Sequence, residues 1–158
     1  LLNQSYKAMP GTYTQILVHI VFSTKGRMSL IEEHIRESLE RYIAGIISKR
    51  NQRMIAIYCM PDHTHILLGL NGETAISALV RDIKSKSSKH LNKQGHWRFP
   101  FRWQEGYGAF SYGNRDLHKL IAYVREQPKH HQNLSFDEEY MEILIRRDID
   151  FDIRYLYG

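Results

Sequence analysis

The sequence predicts an α+β fold of the split βαβ, ferredoxin-like/RRM-like kind: an antiparallel sheet with helices on one face, followed by a C-terminal helix and tail. Three observations carry this. β-Branched, alternating segments mark strands at 12–24, 53–60 and 63–70. Apolar stripes at helical spacing lie between the first two strands and after the third. An aromatic, glycine-rich stretch at Phe99–Tyr112 then completes the order strand, helix, strand, strand, helix, strand.

In the first strand Ile16, Val18, Ile20 and Phe22 share one face and Leu17, His19 and Val21 the other, so both faces are covered and the strand is central. Ser29 and Glu32 have the spacing of a capping box opening the first helix. Its stripe is Ile31, Ile35, Leu39, Ile43 and Ile46, through about Lys49. Pro61-Asp62 separates the second and third strands as a hairpin turn. Ile76, Leu79, Val80 and Ile83 mark the second helix, to about Leu91. Phe99–Tyr112 reads as a fourth strand with an irregular or bulged partner. Asn114 is a suitable cap for a third helix, about 114–128, whose stripe is Leu117, Leu120, Ile121 and Val124 and whose end Pro128 limits. Ser135 and Glu138 form a further capping box for a short helix through about Arg147, and the alternating tail Ile149, Phe151, Ile153, Tyr155, Tyr157 reads as extended and docked.

The chain has 158 residues, 42% apolar and 25% charged, which suits one soluble globular domain. Residues 9–158 are read as that domain, with a C-terminal extension over 133–158; Leu1–Ala8 is set apart as tag-derived or upstream sequence. No apolar run is long enough to span a bilayer and no targeting signal is evident, so a cytoplasmic location without membrane partners is expected. The single cysteine, Cys59, excludes an intrachain disulfide and four-thiolate zinc sites, leaving nine histidines as candidate ligands.

Net charge is +5, and it is concentrated. Arg81, Lys84, Lys86, Lys89, Lys93, Arg98 and Arg102 fall in one window with a single acid, Asp82. Such a window is either a solvated helix face or a surface that tracks phosphates. Trp97, Phe99, Phe101 and Trp103 are interleaved with it, as core packing or as platforms for unstacked bases.

His63-Thr64-His65 lies on the third strand. Strand alternation puts both histidines on one face, about 7 Å apart along the chain, while Thr64 faces the other way with Ile66 and Leu68. Such a pair is either two half-buried, hydrogen-bonded histidines or a grip for one divalent cation. On the third helix, Tyr123 and Gln127 are four residues apart and stack beside the apolar stripe. Tyr123 is then either packing at the core edge or a nucleophile on a rigid element. His19 reads as a buried, bonded histidine. His130 and His131 could contact a nucleic acid. Tyr107 and Tyr112 lack a glutamine or histidine four residues on.

These residues give the chain a family likeness. It resembles the single-tyrosine HUH single-strand DNA transposases of small bacterial insertion sequences, which are related to the REP-associated tyrosine transposases. The likeness rests on Ile16–Thr24 followed by Lys25-Gly26-Arg27, on Met60–Leu68, on the basic helix Arg81–Lys89, on Trp103–Tyr107 and on Tyr123–His131, and it spans about Met9 to Gly158. Thr64 departs from the pattern, which usually carries a larger apolar residue there. The resemblance implies that His63, His65 and Gln127 hold Mg2+ or Mn2+, and that Tyr123 attacks a scissile phosphate to give a 5′-phosphotyrosine and a free 3′-hydroxyl. It further implies single-stranded DNA with a subterminal hairpin as substrate, bound by Arg81, Lys84, Lys86, Lys89, Lys93, Arg98 and Arg102. The implied assembly is a homodimer in which one subunit's tyrosine helix can complete the other's site. A non-catalytic single-stranded nucleic-acid-binding domain and a domesticated enzyme cutting host repeats are the competing readings.

Overall fold

The computed structural model describes residues 11 and 13–156. The boundary at Met9 and the last two tail residues, Tyr157 and Gly158, fall outside them. Four antiparallel strands form one sheet in the order β2-β3-β1-β4: β1 Ile16–Ser23, β2 Arg53–Cys59, β3 His63–Leu70 and β4 Gly108–Tyr112. β1 is central, as its two apolar faces require, pairing with β3 from Ile16↔Leu70 to Ser23↔His63 and with β4 from Leu17↔Tyr112 to Val21↔Gly108. The hairpin of β2 and β3 carries one register shift, between Met54 and Ala56.

Alternation sorts the side chains into two layers. Val18, Ile20 and Phe22 of β1 and Ile66 and Leu68 of β3 pack under helices α1 (Glu33–Lys49) and α2 (Ile76–Gln94), around Leu39, Ile43, Leu79 and Ile83. Cys59 is buried in the same layer as a small apolar group. The opposite face takes His19 and Val21 from β1 and His63, His65 and Leu67 from β3. It is covered by three C-terminal helices: α3 (Leu117–Arg125), the single turn α4 (Gln127–His130) and α5 (Phe136–Arg146). Leu120 and Val124 of α3 seat on Ala56 and Leu67, and Phe136 and Leu144 of α5 on Val21 and Phe110. Gly108 admits this close approach, since a Cβ there would lie 2.8 Å from the Phe110 ring and from the Tyr140 hydroxyl.

Several local expectations are corrected. Ser29 and Glu32 do not form a capping box: α1 starts at Glu33, and Glu32 at its N-cap makes no side-chain capping hydrogen bond. The Ile31 N–H bonds Pro61 O at 2.9 Å and its side chain is buried, which holds the preceding segment extended. The fourth strand is confined to 108–112. Phe101 and Trp103 turn into the α1/α2 core instead, with a lone bridge Thr24↔Trp103, and the chain bends at Gly106 (φ 76°). Asn114 begins a 3-10 turn rather than capping α3 through its side chain. The helix expected to end near Pro128 breaks at Glu126, so that Gln127 and Pro128 begin α4, where a missing N–H is harmless. The tail is not an extended strand: Asp152 Oδ1 accepts the Arg154 N–H at 2.9 Å and starts a helical turn, α6 (Ile153–Leu156), with Tyr155 81% exposed. Among the described residues no helix is long and apolar enough to cross a membrane.

The capping box at α5 forms in full, with the Glu138 N–H on Ser135 Oγ at 3.3 Å and the Ser135 N–H on Glu138 Oε2 at 2.9 Å. Ser135→Ala should therefore lower unfolding free energy by about 1 kcal/mol in urea titration. Ser29→Ala should change it by less than about 0.5 kcal/mol, and Ile43→Ala, in the sealed layer, should cost about 2–5 kcal/mol.

Candidate active site

The histidine-bearing face of β3 meets the N-terminal half of α5. His63 and His65 are 1% and 0% exposed, with ring centroids 4.9 Å apart. Each has its Nδ1 occupied: His63 by Asp62 Oδ1 at 2.6 Å, His65 by His19 Nε2 at 2.9 Å. Their Nε2 atoms are directed to one point, lying 3.9 and 3.3 Å from Glu139 Oε2, and neither makes a hydrogen bond of good geometry. His131, at the end of α4, brings its Nε2 to 3.1 Å from the same oxygen and anchors its Nδ1 on Leu134 O at 2.7 Å. One ligand atom from each of His63, His65, His131 and Glu139 lies within 4.8 Å of all the others.

The second oxygen of Glu139 faces α3. Oε1 accepts the Tyr123 hydroxyl and, at 3.1 Å, Gln127 Nε2. Gln127 is fully buried, and its Oε1 has no hydrogen-bond partner. Tyr123 stands edge-on to the His65 and His19 rings at 5.9 Å each. The sequence-predicted set Tyr123, His63, His65 and Gln127 is thus gathered at one place by a single chain, because α3 packs directly on β2 and β3.

The electrostatics follow from burial and from this one carboxylate. Burial pushes Glu139 up, but the hydrogen bonds of His131 and Tyr123, together with the adjacent His65 imidazole, outweigh it and hold the carboxyl well below the usual range. Burial, then the Glu139 charge, pushes the Tyr123 phenol well above its ordinary value, so it stays protonated. Burial brings His63 down to about 4 against the pull of Asp62, which leaves a neutral imidazole able to act as a ligand. Burial also holds His19 well below its ordinary value, with His65 adding to the effect. His131 is shifted upward, the bond to Glu139 outweighing burial.

Sequence reasoning missed two members of this cluster. His131 lies four residues beyond Gln127, the same spacing that linked Gln127 to Tyr123, and that repeat was the available signal. Glu139 offered no local signal, since an acid in the first turns of a helix already has an ordinary reason to be there; only the family likeness, which extends over the Glu139-Tyr140 helix, touched it.

The basic window occupies the other side of the sheet, on and after α2. Arg81, Lys86, Lys89, Lys93, Arg98 and Arg102 are exposed. Lys84 is not free: its Nζ donates to the carbonyls of Gln104 (2.8 Å) and Gly106 and sits over the Phe22 ring. Of the interleaved aromatics, Phe101 and Trp103 are core, Trp97 is half-buried and bonds Leu30 O, and Phe99 is 74% exposed. A groove of about 490 Å³ runs between α2 and residues 102–107, bordered by Arg81, Lys84, Arg102, Trp103 and Tyr107.

A family model described as "Transposase IS200 like" matches residues 12–127. The chain is 27% identical over 126 residues to the transposase for insertion sequence element IS200 of Salmonella typhimurium, covering 77% of this chain and 82% of that one. It is 25% identical over 81 residues to the ISDra2 transposase TnpA of Deinococcus radiodurans, covering 51% and 58%. Among solved structures, a REP-associated tyrosine transposase bound to a REP hairpin superposes with TM-score 0.59 at 18% identity, covering 79% of this chain and 74% of that one. A protein from Deinococcus radiodurans superposes with TM-score 0.60 at 22% identity, covering 77% and 97%. These two share the α+β fold, an open four-stranded antiparallel sheet with helices. The matched span of the family model contains His63, His65, Tyr123 and Gln127 and ends before His131 and Glu139.

Because Tyr123 donates to a buried carboxylate, Tyr123→Phe should destabilise the chelator-treated protein by about 1.5–3 kcal/mol in urea unfolding. An unchanged midpoint would mean that the hydroxyl is held by water instead.

Proposed function

The chain belongs to the IS200-like transposase family, and from that premise we propose that it cleaves and rejoins single-stranded DNA through a phosphotyrosine formed at Tyr123. The observation that carries this reading is the meeting of a phenol and two buried imidazole nitrogens on one carboxylate.

The donor set fits a divalent cation. Two buried Nε2 atoms and the buried Gln127 Oε1 lack hydrogen bonds, which is costly unless something else satisfies them. His63, His65 and Gln127, whose buried Oε1 is unpaired, would hold Mg2+ or Mn2+, with Glu139 and His131, clustered with the two histidines, beside them, a mixed nitrogen/oxygen shell suited to such ions. A bound cation would supply Lewis-acid polarisation of the scissile phosphate. Asp62 fixes the His63 proton on Nδ1 and so keeps Nε2 available. Glu139 holds the Tyr123 oxygen at the cluster. In the chemical step a Tyr123 Oη–P bond forms as the P–O3′ bond breaks. The phenol gives up its proton and the departing 3′ oxygen takes one up. The phosphodiester's energy is retained in the ester, so a 3′-hydroxyl can reverse the step without ATP.

The substrate is proposed to be single-stranded DNA with a subterminal hairpin, in keeping with the hairpin-bound relative. Arg81, Lys86, Lys89, Lys93, Arg98 and Arg102 would contact phosphates, with Phe99 available to stack on a base. Lys84, whose ammonium is already occupied, would act by holding the 104–106 loop beneath those contacts. The site's completeness within one chain favours cleavage in cis. The homodimer that the family resemblance implies would then align two sites without exchanging helices. A binding-only domain is disfavoured because helices cover both faces of the sheet, leaving no open aromatic surface of the kind used for single-stranded RNA.

Incubation with labelled single-stranded hairpin DNA and Mg2+ should give a denaturant-resistant adduct. Tyr123→Phe should abolish it with DNA binding retained, and EDTA or His63→Ala should abolish it as well. An adduct that persists in Tyr123→Phe would refute the nucleophile assignment. Arg81→Ala and Lys89→Ala should each weaken DNA binding and flatten the logarithmic salt dependence by about one unit, measured by fluorescence anisotropy.

A further inference from the structure

We infer that His19 is a positioning residue for the metal centre: its Nε2 receives the Nδ1–H of His65 and thereby frees the lone pair of His65 Nε2. The inference rests on the reading of His63 and His65 as cation ligands.

His19 lies in the middle of β1, on the same sheet face as His65 and on the neighbouring strand. The two rings are nearly parallel, 15° apart with centroids at 5.1 Å, and both are fully buried. Their hydrogen bond, 2.9 Å between His19 Nε2 and His65 Nδ1, allows two proton arrangements. If His19 donates, the His65 proton sits on Nε2 and blocks the ligand position. If His19 accepts, His65 carries Nδ1–H and its Nε2 can bind a cation, while His19 keeps its own proton on Nδ1.

The other ligand has no such choice. His63 bonds Asp62, and a carboxylate only accepts. His19 is therefore the group that decides whether the second ligand is usable. His19 Nδ1 has no hydrogen-bond partner among the described residues, and the ring is walled by Phe110, Tyr112 and Tyr123 at 6.3, 6.2 and 5.9 Å. Glu139 Oε2, 3.3 Å from His65 Nε2, draws a proton to that nitrogen when no cation is bound; a cation ligated there excludes that proton, and His19 is then the acceptor that lets it sit on His65 Nδ1.

The test uses Mn2+ affinity of the full chain, read by electron paramagnetic resonance of the free ion, with metal-free unfolding midpoints as the check on folding. His19→Phe keeps a ring and removes the acceptor; His19→Gln restores an acceptor near the old Nε2. His19→Phe should bind Mn2+ about 10–100-fold more weakly, and His19→Gln should recover most of that loss. Equal affinity of His19→Phe and wild type overturns the inference, as does an equal loss in both variants, which would mark a packing role. Should His19→Phe not fold, nitrogen-15 spectra of the Mg2+-loaded wild type decide the matter: protonated His65 Nδ1 and bare His19 Nε2 support the inference, and the reverse overturns it. Wild-type protein that binds no Mn2+ would instead remove the cation reading itself.

Discussion

The interaction on which the rest depends is a single carboxylate shared across two structural layers. Glu139 belongs to α5, yet its oxygens meet His63 and His65 of β3, His131 just after α4 and Tyr123 of α3. A buried carboxylate is unfavourable unless it is well supplied with donors. Here the donors are Tyr123 of α3, Gln127 at the start of α4 and His131 just after it, so satisfying one charge requires α3, α4 and α5 to be docked together against the sheet. The geometry of the cluster and the closure of that face are one constraint.

The sheet divides the work. On the side of α1 and α2 the central strands present aliphatic side chains that make a sealed core. On the other side the same two strands present three imidazoles among fewer apolar contacts. Placing polar rings on central strands gives them little freedom, because each strand is pinned by a neighbour on both edges. Rigid placement is what a reacting constellation requires, since small displacements of a nucleophile lower its rate steeply.

Much of this was legible in the chain. Alternation along Ile16–Phe22 gave a central strand with two buried faces, and the same rule put His63 and His65 together. The Ser135–Glu138 spacing predicted a real cap because nothing competes for those groups, whereas the Ser29–Glu32 spacing failed because Ile31 is claimed by the core and by Pro61. Residues 99–107 misled because aromatic, glycine-rich sequence suits a strand as well as an irregular segment whose rings fill a core. Tyr123 and Gln127 shared a helical spacing and could be paired by inspection. Glu139 could not, since its role arises from a docking of α5 on β3 that no local pattern encodes.

The burial of the cluster has a further meaning. His63, His65, Gln127 and Glu139 are each 4% exposed or less, so bulk water has little access to the atoms around the phenol oxygen. An ester formed there would be shielded from hydrolysis, and the most available acceptor would be the sugar hydroxyl it had just released or one delivered in its place. On the proposed function, the depth at which these side chains sit, as much as their identity, would favour rejoining of strands over simple severing.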